Sequence, residues 1–102
     1  MVLATQPDMN LVAEASNGRE AIQQFREHWP DITLMDLQMP AMNGLEAMVA
    51  IRAEFPQAKV IILTTYENDV QDAMKLGARG YLLKARLDKE LLETIRTVHS
   101  GP

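Results

Sequence analysis

Three short apolar runs, each closing on a single polar residue of a different kind, constrain this chain most: ITLMD at 32–36, KVIILT at 59–64 and GYLLK at 80–84. Runs this brief and this rich in Ile, Val and Leu suit strands buried on both faces. Between them lie longer stretches with apolar residues three or four apart, the period of an amphipathic helix. A fold that alternates such elements is α/β, with a parallel sheet and right-handed crossovers.

The helices can be placed by their ends. Leu11 to Ala15 (LVAEA) is a plausible first strand, after which Ser16, Asn17 and Gly18 supply turn and capping chemistry for REAIQQFREHW. Ile22, Phe25 and Trp29 share a face of that helix, and Pro30 stops it. Leu45, Met48, Ile51 and Phe55 predict a second helix from Gly44 to about Glu54, ended by Pro56. Val70, Ala73, Met74 and Gly77 mark a shorter third helix, with Gly77 as its C-terminal glycine. Asp88 is placed to cap the last helix, whose stripe is Leu91, Leu92, Ile95 and Val98. The expected order is β-α-β-α-β-α-β-α, with helices on both sheet faces.

Bulk properties narrow the function. At 102 residues and 47% hydrophobic, the chain is one small domain with a modest core. A formal charge of −4 argues against this segment gripping nucleic acid through phosphate neutralisation. Cysteine is absent, which rules out a disulfide framework or a thiolate metal site and suits a reducing cytoplasm. No apolar run approaches membrane-spanning length, and MVLATQPDMN does not read as a secretory signal.

In a parallel sheet the functional edge lies at the carboxyl ends of the strands. That rule brings Asp36, Thr64 and Lys84 to one edge. A carboxylate can act as a nucleophile toward phosphorus or as a hard ligand for Mg²⁺. A hydroxyl can donate to a phosphoryl oxygen, and an ammonium offsets its charge. Each residue alone has a plainer reading: an Asx turn, a satisfied strand-end hydroxyl, a solvated lysine. The three together favour a site that makes and holds an acyl phosphate.

The segments LMDLQMPAMNG, VIILTTYEND and GARGYLLKA, in this order, closely resemble the receiver domain of bacterial two-component response regulators. The wording of ASNGREAI and GARGYLLKA is most similar to receivers of LuxR/NarL-type transcription regulators. The resemblance implies a flavodoxin-like fold and a signalling rather than enzymatic role. It implies that Asp36 is phosphorylated by a sensor histidine kinase, with Thr64 and Lys84 contacting the phosphoryl group. Gln38 would offer its backbone carbonyl to Mg²⁺, Thr65 would stand at the position controlling access, and Tyr81 would be the switch aromatic. For Tyr81 the plainer reading is an aromatic packing a strand edge. Pro40 and Gly44 suit loop-shaping roles, one fixing φ and the other permitting an unusual backbone. His28 and His99 read as surface residues near helix ends, and the seven methionines fall mostly on strand or helix faces, where packing explains them better than any ligand role.

Family receivers open with a further strand carrying paired acidic residues and a full first helix. VLATQPDMN is similar only to the tail of that helix, so roughly 20 residues are expected to be missing at typical element lengths. The expected fold is then about four strands and four helices, with the receiver over 1–99 and a linker to an output domain beginning at 100–102. Asp8 precedes the first strand and has no geometric claim to replace the acidic pair. Mg²⁺ binding is expected to be weak or absent, and phosphorylation poor. An open sheet edge would invite a homodimer or a swapped dimer. The competing reading is a phosphorylation-independent dimerisation or docking module on the same scaffold. A flavodoxin-like enzyme is a third, but no glycine-rich phosphate loop supports it.

Overall fold

The computed structural model describes residues 17–38 and 44–100. The expected strand at Leu11 to Ala15, Asp8 and Pro40 all lie outside them. The described chain runs α1 (Gly18–His28), β1 (Thr33–Asp36), α2 (Gly44–Glu54), β2 (Val60–Thr64), α3 (Asn68–Lys75), β3 (Gly80–Leu83), a 3₁₀ turn (Lys84–Arg86) and α4 (Leu87–Ser100). Among the described residues the sheet has three strands, all parallel, in the order β1-β2-β3.

Every residue of β2 is buried, as befits the strand between two neighbours. Its side chains alternate between two cores, because successive residues of a strand point to opposite faces. Val60 and Ile62 join Phe25, Met35, Met48 and Ile51 beneath α1 and α2, with Ala73 of α3 in the same cluster. Ile61 and Leu63 join Leu82, Ile95 and Val98 on the face covered by α4. Helices therefore cover both faces, as the alternation of elements predicts.

The helix ends follow local chemistry. Asn17 is the N-cap of α1, its Oδ1 accepting from the Glu20 N–H at 3.0 Å. At the other end, α-helical geometry is disfavoured for the residue preceding Pro30. Trp29 instead takes a left-handed conformation (φ 46°, ψ 59°), and its N–H still reaches the Phe25 carbonyl at 2.9 Å. Helix α3 ends in a Schellman arrangement: Gly77 N–H donates to Met74 O at 3.2 Å and Ala78 N–H to Ala73 O at 3.1 Å. Gly77 supplies the positive φ of 112° that this closure requires.

Three expectations are corrected. Asp88 is not a cap: the 3₁₀ turn runs straight into α4, so Asp88 lies inside the first helical turn, where its charge suits the helix dipole. Lys84 stands one residue beyond β3, where its carbonyl accepts from Leu87 N–H and starts the turn. Helix α4 continues through Ser100, so that residue is helical rather than linker.

Candidate functional site

The register sets the site. Asp36 lies level with Leu63, and Thr64 lies level with Leu83. The carboxyl ends of the strands thus step across the sheet by one residue at a time, with Lys84 following directly. Leu37 N–H continues the ladder to Leu63 O at 3.0 Å, fixing the backbone just past Asp36.

Both oxygens of the Asp36 carboxylate are engaged. Oδ1 accepts from the Gln38 backbone N–H at 2.8 Å, and Oδ2 lies 3.0 Å from Lys84 Nζ. The first contact is the Asx turn that the sequence allows; the second joins two of the three residues expected to act together. The side chains of Asp36 and Lys84 remain 36% and 37% exposed, so the carboxylate is held in place yet open to a reactant.

Thr64 is fully buried, the one buried polar side chain among the described core residues. Its Oγ1 accepts from Tyr66 N–H at 3.2 Å and has two acceptors within reach of its own proton, Asp69 Oδ2 at 3.3 Å and Tyr66 O at 3.4 Å. Position brings Thr64 to the site's edge, but its hydroxyl is bound to the loop after β2 and the first turn of α3. Thr65 is exposed beside it. Tyr81, second residue of β3, is 47% exposed.

Gly44 serves the site by a route different from the expected one. Its φ is not positive; instead a Cβ there would collide with the Asp36 carbonyl oxygen. The absence of a side chain lets the start of α2 pack directly on the end of β1. Asp69 was not among the expected site residues. Thr64 and Asp69 are five apart across a loop-to-helix junction, a spacing that no single periodicity flags.

His28 and His99 are exposed in the last turns of α1 and α4, as expected. Among the described residues no group of three or more His, Cys, Asp or Glu side chains could hold a metal ion by itself. The Asp36 carboxylate, more than a third exposed at the sheet edge, is a hard oxygen donor of the kind Mg²⁺ takes alongside water and phosphoryl oxygens.

A doubly covered parallel sheet with a carboxylate, a hydroxyl and an ammonium along its carboxyl edge defines a receiver-type signalling fold. Comparison with known proteins agrees: the model of the response regulator receiver domain matches residues 2–96. The chain belongs to that family, as a receiver of the LuxR/NarL type. It is 43% identical over 104 residues to the oxygen regulatory protein NreC of Staphylococcus haemolyticus (strain JCSC1435), covering 99% of this chain and 48% of that protein. It is 38% identical over 102 residues to the transcriptional regulatory protein LnrK of Bacillus subtilis (strain 168), covering 98% and 46%. Among solved structures, a LuxR-family two-component response regulator from Aurantimonas sp. SI85-9A1 superposes with a TM-score of 0.89 at 35% identity, over 94% of this chain and 70% of that one.

The chain spans about half the length of the relatives NreC and LnrK. Receiver domains of response regulators are generally regulatory, bind Mg²⁺ and work with sensor histidine kinases. Membership does not favour the phosphorylation-independent docking module. Among the described residues no helix is long and apolar enough to cross a membrane.

Proposed function

We propose that Asp36 is the phosphoacceptor of this receiver. The observation that carries the reading is the Asp36–Lys84 contact at 3.0 Å, made at the carboxyl edge of the sheet by a carboxylate still open to solvent. A carboxylate oxygen attacks the phosphorus of a phosphohistidine on a sensor kinase. The new O–P bond forms as the P–N bond breaks, and the imidazole keeps the electron pair and takes up a proton from solvent. Gln38 N–H holds the attacking carboxylate in orientation. Lys84 offsets negative charge on one phosphoryl oxygen, and the Thr64 hydroxyl donates to another.

The Asp36 carboxylate and Gln38 carbonyl would hold Mg²⁺. When bound, the ion supplies positive charge to the phosphoryl oxygens. Among the described residues Asp36 is the one carboxylate proposed to hold the ion, so labelling is expected to need high Mg²⁺. Thr65 borders the approach to Asp36, and Tyr81 turns inward as Thr64 moves toward the phosphoryl group. The domain acts in signalling rather than turnover, in the cytoplasm where sensor kinases present their phosphohistidine. LnrK is named a transcriptional regulator, and this receiver would likewise serve the control of transcription.

Acetyl phosphate with Mg²⁺ tests the assignment. Intact mass should show one added phosphoryl group, lost in Asp36→Asn. Labelling that survives Asp36→Asn, or a wild-type chain that takes no label even at high Mg²⁺, would sink it.

A further inference from the structure

A hydroxyl has one proton to give, and both acceptors within hydrogen-bond reach of Thr64 Oγ1 lie in the loop and helix that follow β2 rather than at Asp36. Of its two acceptors, Asp69 Oδ2 at 3.3 Å is the nearer and is charged; Tyr66 O at 3.4 Å also accepts from Asp69 N–H at 3.2 Å. Burial sharpens the competition, because Thr64 is shut off from solvent and cannot exchange either partner for water. To donate to a phosphoryl oxygen on Asp36, Thr64 must let go of Asp69.

We propose that Asp69 is a positioning residue that holds the Thr64 hydroxyl in its resting orientation and couples its release to helix α3. This rests on Asp36 being the phosphoacceptor. Asp69 sits in the first turn of α3, so the bond that phosphorylation breaks is the one tying that turn to the end of β2. The helix is built to respond. It has eight residues, its N-cap Glu67 makes no side-chain capping bond, and Ala73 is its one buried residue. Its Met74 and the adjoining Leu76 are 42% and 48% exposed, so little apolar burial resists a shift of its N-terminal end. Asp69 therefore opposes the phosphorylated state: the resting chain keeps a charge-assisted bond that the phosphorylated chain gives up.

The test uses beryllofluoride, a non-covalent stand-in for the phosphoryl group, titrated at high Mg²⁺ into the wild-type chain, Asp69→Ala, Thr64→Ala and the double variant. Removing the competing bond should tighten binding about fivefold in Asp69→Ala, the size of one net side-chain hydrogen bond. In the Thr64→Ala background the same change should have no effect, which a merely structural role for Asp69 would not reproduce. Unchanged or weaker binding in Asp69→Ala, or tightening that persists without Thr64, overturns the proposal.

Three-bond couplings to Thr64 Cγ2, measured without any phosphoryl analogue, decide the matter separately. They should report one rotamer in the wild type and averaging in Asp69→Ala; identical couplings overturn it. A wild-type chain that binds no beryllofluoride counts against Asp36 as phosphoacceptor, while these couplings still decide the role of Asp69.

Discussion

Lys84 and Asp36 meet at 3.0 Å across the end of β2, so one side-chain pair spans the full width of the described sheet. The lysine reaches from the turn after β3, over the strand end occupied by Thr64, to the last residue of β1. Such reach needs a long side chain with a compact charge at its tip, which lysine provides and arginine's planar fork does not.

Replacing Lys84 with methionine keeps most of the unbranched stem and removes the charged tip. Both partners are more than a third exposed, so solvent screening limits the stability change to under about 1 kcal/mol. Chemistry should suffer more. Acetyl phosphate labelling of Asp36 is expected to fall by roughly tenfold or more, the worth of one charge-assisted hydrogen bond. Urea unfolding and intact mass on the same sample separate the two effects, and a large stability loss with normal labelling would contradict this account.

Gly44→Ala should damage the fold and the site together. The added methyl would meet the Asp36 carbonyl oxygen, a backbone atom that cannot swing aside as a side-chain tip can. Helix α2 must back away from β1, at a cost of about 1–3 kcal/mol. Because the displaced strand end carries Asp36, labelling should drop as well. Chemical denaturation checks the first effect, and a variant as stable as the wild type would show that the helix start yields freely.

Arg52 ties the end of α2 to the turn after α3. Its Nη1 donates to Gly77 O at 2.5 Å and its Nη2 to Pro56 O at 3.2 Å. Arg52→Ala frees both carbonyls and should cost about 1–3 kcal/mol. Gly77→Ala should cost a similar amount, because its φ of 112° disfavours a side chain and the new Cβ would strike the Arg52 guanidinium. The clash disappears when Arg52 is already gone. The double variant should therefore lose less than the two single losses added, and strict additivity in urea titrations would rule out the contact.

The elements that could be read from the sequence were those whose signal is local. KVIILT announced itself as a strand because burial on both faces demands an unbroken apolar run, ITLMD and GYLLK as brief β-rich runs between helical stretches, and Asn17 and Gly77 declared helix ends by their backbone chemistry. The joining of Asp36 to Lys84 followed from topology, since parallel strands present their ends on one edge. What escaped was set by packing. The purpose of Gly44 is a close approach to a residue eight positions earlier, and only the packed structure shows it. Asp88 looked like a cap because the sequence does not reveal that the 3₁₀ turn feeds directly into α4. Asp69 was passed over because its partner belongs to a different element and its charge alone looks like ordinary helix-start chemistry.

Trp29 offers a test in which the usual ranking of substitutions reverses. It closes α1 in the left-handed region at φ 46°, a conformation that costs a residue bearing a Cβ about 1–2 kcal/mol. Its ring meets Phe55 edge-on with centroids 5.1 Å apart, and Phe55 in turn lies 5.0 Å from Phe25. That aromatic contact, at about 0.5–1.5 kcal/mol, offsets the backbone strain. Trp29→Ala removes the contact and keeps the strain, so it should destabilise the chain by about 1 kcal/mol or more. Trp29→Gly removes both. Glycine is ordinarily the worse replacement near a helix, but here it should leave the chain more stable than alanine does, by about 1 kcal/mol. Thermal and urea unfolding followed by circular dichroism give the order directly. An alanine variant that equals or exceeds the glycine variant would mean that the turn before Pro30 does not hold the left-handed geometry on which α1 ends.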